Sequence, residues 1–148
     1  VTTEGGLDAA GQHDKLKPMI ARLRDAGCRV SLFIEADPAQ LDAAVSLGAP
    51  VVELHTGAYC EAEGETRARH LHRIRAAAAR CAELGLECHA GHGLDYDTVA
   101  PIAAIPNVVE LNIGHFLIGE AIFVGLDAAI RRMRGMMNDA VAAAGTSA

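Results

Sequence analysis

The residues with the clearest capacity for chemistry lie in Leu86-Glu87-Cys88-His89-Ala90-Gly91-His92-Gly93-Leu94, a strand-like run that ends in a histidine between two glycines. Glycines let the backbone turn sharply and approach a ligand closely, and an imidazole titrates near neutral pH and can pass a proton. His92 is therefore a candidate acid or base. A second run, Val108 to Ile113, ends in Gly114-His115 and leads into the apolar stretch Phe116 to Ile122. A glycine at a strand end, followed by the free N–H groups of a helix, suits an anion, because those donors and the helix dipole both favour negative charge. Glu53, inside the run Pro50 to His55, reads either as a working carboxylate or as a core carboxylate paired with an arginine or lysine.

Elements that could hold these residues alternate along the chain. Leu16, Met19, Ile20 and Leu23 share one helical face that ends at Ala26-Gly27, and Pro18 sets the start of that helix near Asp14 to Lys17. Arg29 to Glu35 reads as a strand. Asp37-Pro38 opens a helix carrying Leu41, Ala44 and Val45, closed by Gly48, and Pro50 to His55 forms the next strand. Thr66 to Leu84 is a longer helix with Leu71, Ile74, Ala78 and Cys81 inward, closed by Gly85 before the histidine strand. Asp95 N-caps a short helix to Ala104, and Leu126, Ile130, Met133, Met137 and Val141 mark a terminal helix that frays into the last residues.

Strands alternating with helices predict a parallel sheet. In the first strand Val30, Leu32 and Ile34 oppose Ser31, Phe33 and Glu35. In the second, Val52 and Leu54 oppose Val51, Glu53 and His55. In the last, Val109, Leu111 and Ile113 oppose Glu110 and Asn112. An open sheet covered on both faces favours apolar residues on both, whereas a barrel that supports chemistry holds polar groups inside, near its C-terminal mouth. The pattern predicts aliphatic rows against helices and a polar row facing inward. With four strands visible, the expectation is one domain, residues 1–148, forming the C-terminal half of a (β/α)₈ TIM barrel, with a short phosphate-site helix and a terminal helix after the last strand.

Composition narrows the partners. The chain has 148 residues, 51% hydrophobic and 22% charged, with 3% aromatics and no tryptophan, so its core is aliphatic. A net charge of −6 argues against nucleic acid or an anionic membrane as the main partner. Cys28, Cys60, Cys81 and Cys88 show no CxxC spacing and no signal peptide is visible, so reduced cytoplasmic thiols are expected. The Phe116 to Phe123 run is too short, and too interrupted by Gly119 and Glu120, to span a bilayer. Among the remaining polar residues, Glu35, Glu87 and Glu110 read as structural partners and His55 and His89 as satisfied interior histidines. His13, His70, His72 and the run Arg67 to Arg73 read as solvated.

Five segments together carry a family resemblance: Val1-Thr2-Thr3-Glu4-Gly5-Gly6-Leu7-Asp8, Val30-Ser31-Leu32-Phe33-Ile34, Glu53-Leu54-His55-Thr56-Gly57, Ala90-Gly91-His92-Gly93-Leu94 and Glu110-Leu111-Asn112-Ile113-Gly114-His115. In this order and spacing, and to about Asn138, the chain resembles the pyridoxine 5′-phosphate synthase family. The resemblance implies a cytoplasmic enzyme of vitamin B6 biosynthesis that condenses 1-deoxy-D-xylulose 5-phosphate with 3-amino-2-oxopropyl phosphate, releasing water and phosphate. It implies a homo-octamer of (β/α)₈ barrels that uses neither metal nor organic cofactor. By position, His92 matches the proton donor, and Gly93, Gly114 and His115 match contacts to the amino-ketone phosphate. Thr2 matches a contact to the deoxyxylulose phosphate, and Glu53 a residue that stabilises the transition state. The family's first four strands, with their Asn/Asp-His opening and a basic His and Glu, have no counterpart here, so a piece inactive by itself is expected.

Two other classes fit the residues. A metal-dependent barrel hydrolase would use His55, His89, His92 and Glu53 as ligands. A non-catalytic half-barrel would expose strand edges and associate with itself or with a missing half.

Overall fold

A computed structural model describes residues 5–145, and Thr2 lies outside them. The element order is α1 (His13–Asp25), β1 (Ser31–Ile34), α2 (Pro38–Leu47), β2 (Val51–His55), α3 (Gly57–Glu61), α4 (Gly64–Leu84), β3 (Glu87–Gly91), α5 (Val99–Ala103), β4 (Val108–Asn112), α6 (His115–Val124) and α7 (Leu126–Gly145). The four strands form one parallel sheet in the order β1-β2-β3-β4, each strand beside its predecessor in sequence.

Local chemistry sets the helix ends. Asp37 Oδ1 accepts from Ala39 N at 2.9 Å, Pro38 occupies the first turn of α2, and Gly48 ends that helix in the left-handed conformation at φ 77°. Gly85 ends α4 in the same way at φ 72°. Leu41, Ala44 and Leu47 of α2 and Ile74, Ala78 and Cys81 of α4 pack with Leu32, Ile34, Val52, Leu54, Cys88 and Ala90, the aliphatic rows of β1 to β3. The opposite face carries Phe33, Glu53, His89 and Glu110 in one register across all four strands. In β1 and β2 the polar and apolar rows therefore segregate as the alternation predicts.

The structure departs from the sequence reading in five places. Helix α1 starts at His13 and carries Pro18 inside, and of its apolar face only Ile20 is buried while Met19 and Leu23 stay exposed, because α1 packs at the sheet's edge, against α2. Val45 of α2 is likewise exposed. A five-residue helix, α3, follows β2 where none was expected; buried Tyr59 pins it by donating its hydroxyl to the Thr98 carbonyl at 3.0 Å. The segment after β3 is a turn before it is a helix. Asp95 Oδ1 accepts from Asp97 N, Thr98 N and Thr98 Oγ1, so Asp95 caps that turn and α5 begins only at Val99. Finally, the β3–β4 register passes from Cys88↔Val108 to His89↔Glu110, leaving Val109 as the extra residue of a bulge. Val109 is 66% exposed, and Val108 takes its expected place against the core.

Candidate active site

The C-terminal ends of β2, β3 and β4 open into a cavity of about 650 Å³ lined by Phe33, Glu53, His92, Gly93, Asp95, Asn112, Gly114, His115 and Phe116. Every predicted site residue within the described range is among them.

His92 owes its place to an unusual backbone. It has φ 76°, the one positive value at a non-glycine among the described residues, and Gly93 follows at φ 80°. A left-handed non-glycine costs on the order of 1–3 kcal/mol and persists only where its surroundings hold it. Thr56 provides that hold. Fully buried at the end of β2, it accepts no substitute partner from solvent; its Oγ1 lies 2.6 Å from the Gly91 carbonyl and 2.5 Å from the His92 carbonyl, sharing one proton between them, and its N–H donates to Gly91 O at 2.9 Å. The Cys60 thiol approaches the His92 carbonyl at 3.8 Å. The two glycines differ in purpose: Gly93 supplies the turn, whereas Gly91 makes room, since a Cβ there would run into Glu53 Oε1 and lie 2.8 Å from the Asn112 carbonyl.

Glu53 projects from the middle of β2 beside that gap. Burial pushes its carboxyl above the usual range, against the opposing pull of a hydrogen bond from Asn112 and the nearby His89 and His92. Among the described residues no lysine or arginine forms an ion pair with Glu53. A carboxyl lifted by desolvation and facing an imidazole across a cavity is equipped to respond to charge that develops between them. Gly114 precedes α6, whose first turn presents backbone N–H groups at the cavity wall beside His115.

The profile of a family described as pyridoxal phosphate biosynthesis protein PdxJ matches residues 1–139. The chain belongs to the PdxJ family. It is 63% identical to the pyridoxine 5′-phosphate synthase of Xanthobacter autotrophicus over 99% of this chain and 59% of that one. It is 62% identical to the synthase of Caulobacter sp. strain K31, and 64% identical to that of Rhodospirillum rubrum, each over 95% of this chain and 57% of the relative. This PdxJ chain thus spans somewhat over half the length of the curated relatives it matches.

The other polar residues of this PdxJ chain sort by their partners. His89 is buried with Nε2 2.7 Å from Glu87 and Nδ1 3.2 Å from Glu110, and Arg29 reaches Glu87 at 2.6 Å, holding that carboxyl below its usual range. His89, Glu87 and Glu110 are structural partners, as expected. Glu35 pairs with His55 and Arg73, but His55 is satisfied at one nitrogen only. The ligand set His55, His89, His92 and Glu53 does not converge, and among the described residues no group of three or more His, Cys, Asp or Glu side chains is arranged to hold a metal ion. All four cysteines are free thiols, with Cys81 and Cys88 buried, and no helix among the described residues is long and apolar enough to cross a membrane. Sequence reasoning missed Asn112, Thr56, Phe33 and Phe116. The alternation in Glu110-Leu111-Asn112 placed Asn112 on the polar face, but its bond to Glu53 spans two strands and has no local signal.

Proposed function

We propose that this chain carries the C-terminal half of the active site of a pyridoxine 5′-phosphate synthase. The observation that carries the reading is that Glu53, His92, Gly93, Gly114 and His115, scattered over 63 positions of sequence, line one cavity at the strand ends. In this reading His92 is the general acid that protonates a leaving hydroxyl as water is expelled. Glu53 acts on charge developing during condensation of 1-deoxy-D-xylulose 5-phosphate with 3-amino-2-oxopropyl phosphate. Gly93, Gly114, His115 and the first amides of α6 seat the amino-ketone phosphate, and Thr2 contacts the other substrate.

The same proposal includes the scaffold. Sequential parallel order with a polar row on one face supports a single domain that forms the C-terminal half of a (β/α)₈ barrel. Its mouth would then place the phosphate beside the strands in positions seven and eight, β3 and β4. A homo-octameric, cytoplasmic enzyme that works without cofactor belongs to this reading through the family.

The decisive experiment is His92→Asn in a full-length synthase carrying this sequence. Asparagine keeps hydrogen bonding and tolerates a left-handed backbone but delivers no proton. Turnover should fall about 10²- to 10⁴-fold while both phosphorylated substrates still bind. Near-normal turnover from about pH 6 to 9, bracketing the histidine range, would refute His92 as the acid.

A further inference from the structure

Behind His92 stands a second imidazole that the reading above leaves unused. His55 ends β2 with its ring edge-on to Phe33, centroids 5.1 Å apart, and 5.1 Å from the ring of His92 at a tilt of 51°. Its Nδ1 lies 2.6 Å from Glu35 Oε1, and Glu35 Oε2 lies 3.2 Å from Arg73. An ionised carboxylate only accepts, so this contact places a proton on Nδ1 and leaves Nε2 of the neutral ring as a lone pair. That Nε2 is buried and finds no hydrogen-bond partner among the described residues. A buried orphan in a native fold calls for a role.

Gly57 points to the role. A Cβ on it would lie 2.8 Å from His55 Nε2 and 3.2 Å from His92 Cδ2, so glycine there keeps clear the space between the two rings. Ring centres 5.1 Å apart are close enough that nitrogens aimed at each other would reach ordinary hydrogen-bond distance. The arrangement is a carboxylate that orients one imidazole, whose free nitrogen faces a second.

We propose that His55, anchored by Glu35, is a positioning residue for His92: its Nε2 accepts a His92 ring N–H and so favours the protonated, proton-donating form of that ring. This inference rests on His92 being the acid. The other groups that face His92 are Glu53 of β2, Cys60 of α3, Asp95 after β3 and His115 of α6, with Arg73 of α4 one step behind Glu35. Among the described residues, His55 Nε2 is the buried side-chain nitrogen left without a partner.

The test is the titration of His92 followed by NMR in the wild type, His55→Phe and Glu35→Gln. Phenylalanine keeps the ring against Phe33 and removes the lone pair. Glu35→Gln removes the anchor at a half-exposed site and keeps the test open should the first variant misfold. The His92 midpoint should fall by about one pH unit in His55→Phe, a tenfold loss of the charged form above it, and by less in Glu35→Gln. In a full-length synthase the alkaline limb of kcat should move down with it while KM stays unchanged. A His92 midpoint that is the same in both variants and in the wild type overturns the inference. The titration needs no turnover, so a midpoint that moves while kcat does not would support the pairing and refute His92 as the acid instead.

Discussion

Glu53 and Thr56, three residues apart, are predicted to respond oppositely to removal of their polar groups. Burial raises the Glu53 carboxyl, so the folded state binds a proton more readily than the unfolded chain. Stability is then greatest below the unfolded value and declines as pH rises through the folded one; at neutral pH the charge opposes folding. Glu53→Gln should therefore melt at or above the wild-type temperature at pH 7, with the gain vanishing below about pH 4, while turnover in a full-length synthase drops. A lower melting temperature with unchanged turnover would make Glu53 structural. Thr56 serves the fold: Thr56→Val keeps its shape but strips the hydroxyl from the Gly91 and His92 carbonyls, and should cost about 1–3 kcal/mol in denaturant unfolding, with Thr56→Ser restoring much of it. Glu53 was legible from the sequence because alternation put it on the polar face. Thr56 was not, because its partners lie 35 and 36 residues away.

Among the elements, the glycine caps were the most legible feature, since a helix that must stop needs a left-handed residue and the sequence offers glycine at 48 and 85. They also allow a clean measurement. A Cβ on Gly85 meets nothing within 4 Å, so Gly85→Ala should show the backbone cost alone, about 1–2 kcal/mol and a few degrees of melting temperature. At Gly48 the same change would also displace the Arg24 guanidinium. A Cβ on Gly114 also meets nothing within 4 Å, and in Gly114→Val a rise in KM for the amino-ketone phosphate with little change in kcat would support the proposed anion seat. Crystals soaked in phosphate without density at these amides would argue the reverse. Elements that escaped the sequence were too short or too non-local: α3 has five residues, less than two turns of periodicity, and the Val109 bulge exists only in the β3–β4 register.

On the scale of the whole molecule, one helix stands apart. Ile122 and Phe123 of α6 are 79% and 85% exposed, and Ile118 and Val124 are exposed beside them. Isolated surface apolar residues are ordinary, but four exposed large ones within seven positions of one helix concentrate apolar surface there. The 148-residue chain should bind the dye ANS in its native state, and Ile122→Lys with Phe123→Lys should reduce that signal without changing the circular dichroism. Fluorescence that survives the double substitution would place the dye elsewhere.

Because every strand lies beside the one made just before it, the sheet can grow from a single edge as the ribosome releases it. The site is then ordered in time as well as in space. Glu53 emerges first, His92 next and the start of α6 last, roughly 3–12 s after Glu53 at ordinary translation speeds. A pause between α5 and β4 would leave β3 as an open edge, with His92 and Glu53 already placed and the wall that α6 adds to the cavity not yet formed.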